Sequence, residues 1–256
     1  MLPAELVDWI FTFLQKDPNA LKSCSAAHPL LSFLAEPHLF VHIIFYVGFH
    51  SNHPCPTDGL PVSKLSRCLA ERPHLANHTR SITIDGSASL NSNPSVFFEG
   101  LSTLLPLIPS PEKISLRHVR WFQFPEALRL AVLNCFRTPR MKEICLHNSP
   151  NFPFPVLDDF RNIKNLELGS SGSSLQYHPV QTTLASLSIV DDDLVRYIAL
   201  AGSRLNGLTT LHAKAKFRPF PDLSPIFTSY SNSLKCITLD IGSFCTSKPH
   251  EMSTTD

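Results

Sequence analysis

The sequence predicts an α/β fold in which a short helical module precedes a solenoid of repeats with a parallel sheet and helical returns. Two observations lead to this prediction. The chain opens on an apolar stretch of helical length, and a short apolar pattern recurs seven times beyond residue 78. A hydrophobic content of 43% with a charged content of 17% is typical of a globular protein and not of a disordered one.

The first predicted helix is more apolar than one buried stripe requires. Its apolar side chains cover roughly 200° of the circumference, whereas a single buried face needs only about 100°. These side chains are Leu6, Val7, Trp9, Ile10, Phe11, Phe13 and Leu14. A helix with two apolar faces can pack one on its own domain and the other on a partner, so this segment is predicted to be an interaction module.

Two further short helices are predicted directly after it. Asp17 and Pro18 read as an N-cap followed by proline at the first helical position. Pro29 can open the third helix and Pro37 is expected to close it. Three helices in about 40 residues form a marginal core, because so small a unit buries little surface.

The segments LPAELVDWIFTFL, DPNALKSCS and EPHLF resemble an F-box of the form common in the expanded fungal F-box families. The resemblance covers residues 2 to about 46; where the family usually has a tryptophan flanked by basic residues, this chain has Leu31 and Pro29. It implies docking onto a Skp-type adaptor and so onto a cullin-RING ubiquitin ligase. The positions that match the family's adaptor contacts are Leu2, Pro3, Leu6, Ile10, Leu14 and Leu21. The alternative is an ordinary helical cap on a larger domain.

The repeat has the form apolar-x-x-apolar-x-apolar and predicts one strand in each unit. The middle apolar residues are Ile82, Ile114, Ile144, Leu166, Leu187, Leu211 and Ile237, at steps of 32, 30, 22, 21, 24 and 26 residues. Leucine-rich repeats run about 20–29 residues, each with one strand and a return element. We therefore expect a degenerate leucine-rich-repeat-like solenoid whose strands pair in sequential order. The alternative is a generic α/β domain with fewer strands.

The residues between the last two apolar positions support the strand predictions, because side chains alternate along a strand. None is a large aliphatic or aromatic residue: they are Thr83, Ser115, Cys145, Glu167, Ser188, His212 and Thr238. Helical returns are predicted over residues 96–108, 124–136, 193–205 and 221–230. The predicted organisation is an F-box-like module at 1–46, a loop and linker helix at 47–77, the solenoid at 78–242, and a disordered tail at 243–256.

Leucine-rich repeats behind an F-box resemble the substrate-receptor architecture of that family, in which the repeats hold the target. The outward strand residues are expected to line a concave binding face. Its candidate target-binding residues are Asp85, Arg117, His147, Glu167, His212, Lys214 and Asp240. Their mixed charge indicates a polar peptide or protein target and not nucleic acid, which requires a basic stripe.

Composition indicates the compartment. The net charge of +1 gives no electrostatic reason to expect nucleic acid or an anionic membrane as partner. The seven cysteines are odd in number, widely spaced and free of CxxC pairs, which is typical of a reducing environment. No signal peptide is expected, and the apolar run at 39–47 is too short to span a membrane. The sequence predicts a cytoplasmic or nuclear protein.

No pattern in the sequence indicates catalysis, a cofactor or a metal. His50, His53 and Cys55 lie close together, but their spacing is irregular and a solvated loop is the simpler interpretation. The glycine-rich run at 169–174 lacks the lysine of a phosphate loop. The leading interpretation is a non-enzymatic substrate receptor of a ubiquitin ligase. The alternatives are a repeat scaffold without a ligase role and, more remotely, an enzyme with an unfamiliar site.

Overall fold

The computed structural model describes residues 3–15, 17–47, 62–86, 94–149, 151–159, 162–169, 181–190, 204–215 and 224–241. Its first three helices are α1 (Ala4–Leu14), α2 (Pro18–Ala27) and α3 (Pro29–Leu39). The Asp17 carboxylate accepts a hydrogen bond from the Ala20 backbone N–H at 3.1 Å and so caps α2. Pro37 lies inside α3, which continues to Leu39, so the expectation that Pro37 ends this helix was wrong.

Ten strands follow in the described part of the chain. They are β1 (His42–Tyr46), β2 (Ser81–Asp85), β3 (Lys113–Arg117), β4 (Glu143–His147), β5 (Asn165–Gly169), β6 (Gln181–Thr183), β7 (Ser186–Val190), β8 (Arg204–Asn206), β9 (Thr210–Ala215) and β10 (Cys236–Ile241). Eight of them form one parallel sheet in the order β1-β2-β3-β4-β5-β7-β9-β10. All seven predicted strands lie in this sheet, each beside its predecessor in the pattern, and β4 is flanked by β3 and β5 as predicted.

Three strands were not predicted. β1 begins the sheet inside the segment assigned to the helical module, and its Ile43 and Phe45 are buried against the same core as the later strands. β6 and β8 pair with each other in a separate small sheet. β8 also takes up the last residues of the helix expected over 193–205, so for Arg204 and Leu205 that expectation was wrong; the rest of that segment lies outside the described residues.

The helices of the sheet region are α4 (Val62–Glu71), α5 (Pro73–Ala76), α6 (Pro94–Leu104), α7 (Glu126–Phe136) and α8 (Ser224–Tyr230). Short 3₁₀ helices lie at Leu105–Leu107, Trp121–Gln123 and Phe154–Asp159. The predicted linker helix corresponds to α4, and α6, α7 and α8 occupy predicted returns. Residues 48–61 of the predicted loop and linker segment, and the tail expected from 243, lie outside the described residues.

The buried apolar residues form two separate clusters. The larger cluster unites alternate strand residues such as Ile114 and Leu116 with helix residues such as Leu65 and Leu128. Because side chains alternate along a strand, the intervening residues point away from the helices. We call the surface that carries these intervening residues the polar sheet face. The smaller cluster, formed around Phe11, Leu21 and Ala35, belongs to α1–α3.

The residue after the strand takes the same conformation in two neighbouring repeats. His118 follows β3 with φ of 54° and Asn148 follows β4 with φ of 46°, both in the left-handed region. Their side chains meet, with Asn148 Nδ2 3.1 Å from His118 Nδ1. Asparagine adopts this conformation more readily than most residues. The two units are therefore structurally equivalent although only one carries asparagine.

Candidate functional site

Among the described residues, α1 carries more exposed large apolar side chains than any other element. Trp9 is 61% exposed and Phe13 is 64% exposed, and their rings meet edge to face with centroids 4.6 Å apart. Leu6 and Ile10 are exposed beside them. The four side chains are spaced three and four residues apart and so occupy one side of the helix. We call Leu6, Trp9, Ile10 and Phe13 the apolar stripe.

The opposite side of α1 is the one that packs within the protein. Phe11 is buried, and Val7 and Leu14 are partly buried against the small cluster. The helix therefore has the two apolar faces that its composition predicted, one covered and one exposed. On α3, Leu30 and Phe33 are also exposed, three residues apart on one side of that helix.

The predicted adaptor contacts divide between these two faces. Pro3, Leu6 and Ile10 are exposed. Leu21 is only 1% exposed because it fills the core between the helices, so its side chain does not reach the surface and its assignment as an adaptor contact was wrong. Leu14 is partly buried in the same cluster, and Leu2 lies outside the described residues.

The predicted target-binding residues all occupy outward strand positions. Asp85, Arg117 and His147 are register partners on β2, β3 and β4 and form one row. Glu167 on β5 pairs with Cys145 in the neighbouring row. Farther along the sheet, Lys214 Nζ on β9 lies 2.7 Å from Asp240 Oδ2 on β10, and His212 Nδ1 is 3.5 Å from Ser188 Oγ.

Within this face, Cys145, His147 and Glu167 form a compact group that we call the Cys–His–Glu cluster. Cys145 Sγ lies 3.2 Å from Glu167 Oε2, and His147 Nε2 lies 3.1 Å from Glu167 Oε1. Cys145 is 1% exposed and forms the floor of the cluster, while His147 and Glu167 are partly exposed above it. The strands produce this arrangement because residues two apart share a face and Cys145 is the register partner of Glu167.

The ring of His147 lies against Gly169, the last residue of β5. A Cβ atom at Gly169 would stand 2.4 Å from His147 Nδ1 and 2.9 Å from its Cγ. Glycine at this position therefore leaves the space that the imidazole occupies beside the neighbouring strand. This close approach turns Nε2, the other ring nitrogen, toward the side of Glu167.

Contact and burial shift the pKa values of Glu167 and Cys145 in opposite directions. The contact with His147 lowers the pKa of the Glu167 carboxyl to about 2, against the opposing effect of burial, so this carboxylate is ionised at neutral pH. Burial raises the pKa of the Cys145 thiol, which is therefore a poor nucleophile by itself. Beside it, Lys113 Nζ donates to Glu143 Oε1, and that oxygen is 3.5 Å from Cys145 Sγ.

The sequence interpretation named His147 and Glu167 as target contacts and did not group them with Cys145. A signal was present: aligning the repeats on Ile144 and Leu166 places Cys145 beside Glu167. The approach of His147 follows from Gly169 and from side-chain geometry, which the repeat pattern does not contain.

No protein-family model matches the chain, and no curated protein matches it. Within the described ranges, no helix is both long and apolar enough to cross a membrane.

Proposed function

We propose that this chain is the substrate-receptor subunit of a Skp/cullin/F-box ubiquitin ligase, with the helices α1–α3 docking on the adaptor and the repeat sheet holding the target. The observation that carries the proposal is the apolar stripe on a helical unit that stands directly before an eight-stranded repeat sheet. The F-box resemblance of the same residues agrees with it.

The stripe supports adaptor docking for an energetic reason. Exposed aromatic and aliphatic side chains grouped on one helix side mark interaction surfaces, because leaving them in water is unfavourable. An amphipathic helix that lays such a face into a groove is a common recognition mode. Trp9 and Phe13 add aromatic side chains of the kind that dominate binding energy at interfaces.

The polar sheet face supports the target-binding role. Its side chains alternate in charge across neighbouring strands, with Arg117 beside Asp85 and Lys214 beside Asp240. Such a pattern selects a partner by complementary charge more than it adds affinity. The chain would supply proximity and orientation while other subunits transfer ubiquitin, and it would act in the cytoplasm or nucleus.

The experiment is a binding titration between the purified chain and a Skp-type adaptor. Leu6→Ala combined with Ile10→Ala removes two exposed residues of the stripe without entering the core. We expect binding to weaken by about 30–700-fold, since two truncated interface anchors at about 1–2 kcal/mol each cost about 2–4 kcal/mol together. The matched control is Val96→Ala with Leu130→Ala, two exposed apolar residues on α6 and α7, and it should bind as the parent does.

Two results would count against the proposal. Undiminished binding by the double variant would show that the adaptor uses another surface. Absence of adaptor binding by the parent chain would favour the alternative, a leucine-rich-repeat scaffold that has no ligase role.

The target side is tested by charge reversal. Arg117→Glu combined with Lys214→Glu changes two charges of the polar sheet face. Co-purification followed by mass spectrometry should then show loss of the target while the ubiquitin machinery is retained. If every co-purifying protein is kept, the target binds elsewhere on the chain.

A further inference from the structure

The Cys–His–Glu cluster brings together the side-chain types that hold transition metals in proteins. The ligand atoms that Cys145, His147 and Glu167 offer all lie within 4.8 Å of one another. Thiolate, imidazole and carboxylate are the three ligand types that zinc uses. We propose that this cluster binds a divalent transition-metal ion, with Zn²⁺ preferred, through these three side chains.

The distances suit a tetrahedral ion. With metal–ligand bonds of about 2.0–2.3 Å, neighbouring ligand atoms of a tetrahedral zinc site lie about 3.3–3.6 Å apart. The distances from the Glu167 carboxylate to Cys145 Sγ and to His147 Nε2 are 3.2 and 3.1 Å. Cys145 Sγ and His147 Nε2 lie within 4.8 Å of each other, so an ion shared by all three side chains would draw them together and take one oxygen of that carboxylate.

The orientation of His147 is a second, independent observation. Its Nε2 atom is buried, and it has no aligned hydrogen bond although a Glu167 oxygen is 3.1 Å away. A buried ring nitrogen in this state leaves a polar group poorly satisfied, which is unfavourable. A metal ion bound between His147 and Glu167 would give this ring nitrogen a partner.

The surroundings of the cluster allow a bound ion one open position. Cys145 is buried below the site, whereas the side chains of His147 and Glu167 are 27% and 35% exposed on the polar sheet face. Three protein ligands with the fourth position open is the arrangement of zinc sites that engage water or another molecule.

The donor set also decides which metal class fits. One sulfur, one nitrogen and one oxygen ligand favour Zn²⁺ over Mg²⁺ or Ca²⁺, which prefer oxygen ligands alone. The site lies on the surface assigned to the target, not on α1–α3, so metal binding and adaptor binding are separate properties with separate variants.

The test uses the full chain, stripped with a chelator and titrated with Co²⁺ as a spectroscopic substitute for Zn²⁺. We expect a single equivalent to bind with a thiolate-to-cobalt charge-transfer band, and Zn²⁺ to displace it. Cys145→Ser should abolish the band. His147→Gln and Glu167→Gln should each weaken binding by at least about 10–100-fold, the effect that even outer partners of metal sites have.

Two control variants separate this site from other thiols and imidazoles. Cys236→Ser with His212→Gln changes the same residue types on the same sheet face and should leave the titration unchanged. His53→Gln with Cys55→Ser removes the His/Cys group noted in the sequence and should also leave it unchanged.

A positioning variant sharpens the test. Gly169→Ala displaces the His147 ring without removing a ligand, and it should weaken Co²⁺ binding while the band keeps its position. Far-ultraviolet circular dichroism of each stripped variant checks the fold. If Cys145→Ser does not fold, Glu167→Gln decides, because its side chain is partly exposed. The proposal is overturned if the parent shows no charge-transfer band, if Cys145→Ser keeps it, or if the His53/Cys55 variant loses it.

Discussion

The helical unit α1–α3 and the sheet region use their apolar residues in opposite ways. Among the described residues, the core cluster of the sheet region holds 39 buried apolar side chains, whereas that of the helical unit holds three. Yet six of the large apolar side chains that remain exposed belong to the helical unit: Leu6, Trp9, Ile10, Phe13, Leu30 and Phe33.

This difference bears on how the two regions are stabilised. Burial of apolar area stabilises a fold by roughly 25 cal/mol per Å², so the sheet region carries most of the stability. The helical unit gives up part of that stabilisation by keeping an apolar stripe in solvent. The sheet region exposes six large apolar side chains as well, but they are spread over several helices, turns and β10. Its polar sheet face exposes charged side chains, of which Lys214 and Asp240 form an ion pair.

The largest expected effect comes from core truncation, which acts differently in the two regions. Leu116→Ala leaves a cavity in the centre of the sheet core and should lower the free energy of unfolding by about 2–5 kcal/mol in urea titrations. Leu21→Ala removes a similar volume from the small cluster. It should open α1–α3 locally while the sheet stays folded.

Hydrogen exchange distinguishes the two cases. In Leu21→Ala the amides of α2 should lose protection while those of β3 and β4 keep it. Loss of protection across β3 and β4 in that variant would show that the two clusters unfold as one unit, and the comparison between the regions would then fail.

The next largest effect concerns the cap of α2. Asp17→Ala removes the carboxylate that accepts from the Ala20 N–H, and the helical unit should lose about 1 kcal/mol of local stability. Asp17→Asn is the matched control, because asparagine caps about as well. Adaptor affinity should fall in the alanine variant and stay near the parent value in the asparagine variant. If the two variants bind the adaptor with the same affinity, the cap does not contribute measurably to the stability of this unit.

The sequence predicted the sheet well because its signal is local and periodic. Pairs such as Ile114 and Leu116 lie two residues apart and recur at repeat-sized steps, so both the strands and their order could be read. β1 was not predicted because the run from Ile43 to Phe45 does not alternate with polar residues and follows α3 almost directly.

The candidate sites were predicted less completely, for reasons of geometry. The apolar width of α1 indicated two faces, but composition alone cannot say which face the core covers, and Leu21 was assigned to the wrong side. Alternation placed Cys145 and His147 on one face correctly. That the His147 ring meets Glu167 depends on Gly169, whose role is visible only when neighbouring strands are side by side.

The smallest expected effect is the pH-dependent contribution of Glu167, and it tests whether the polar sheet face adds to stability at all. The contact with His147 lowers the pKa of Glu167 to about 2 from an ordinary value of 4.5. A carboxyl group whose pKa is lowered in the folded state stabilises the fold at every pH above its ordinary pKa. This contribution is lost as the pH falls toward 2. Because about a third of this side chain is exposed, we expect only about 0.5–1 kcal/mol at neutral pH.

Glu167→Gln isolates that contribution. Urea unfolding of the parent and the variant, both with chelator present, should differ by this amount at pH 7 and converge as the pH falls below 4.5 toward 2. Taking the difference between the two proteins cancels the titration of all other groups. A difference that stays constant over this range would mean that the lost interaction does not depend on the charge of Glu167. The polar sheet face would then contribute to stability by packing, like the core beneath it, and the contrast between the two surfaces would be smaller than their composition indicates.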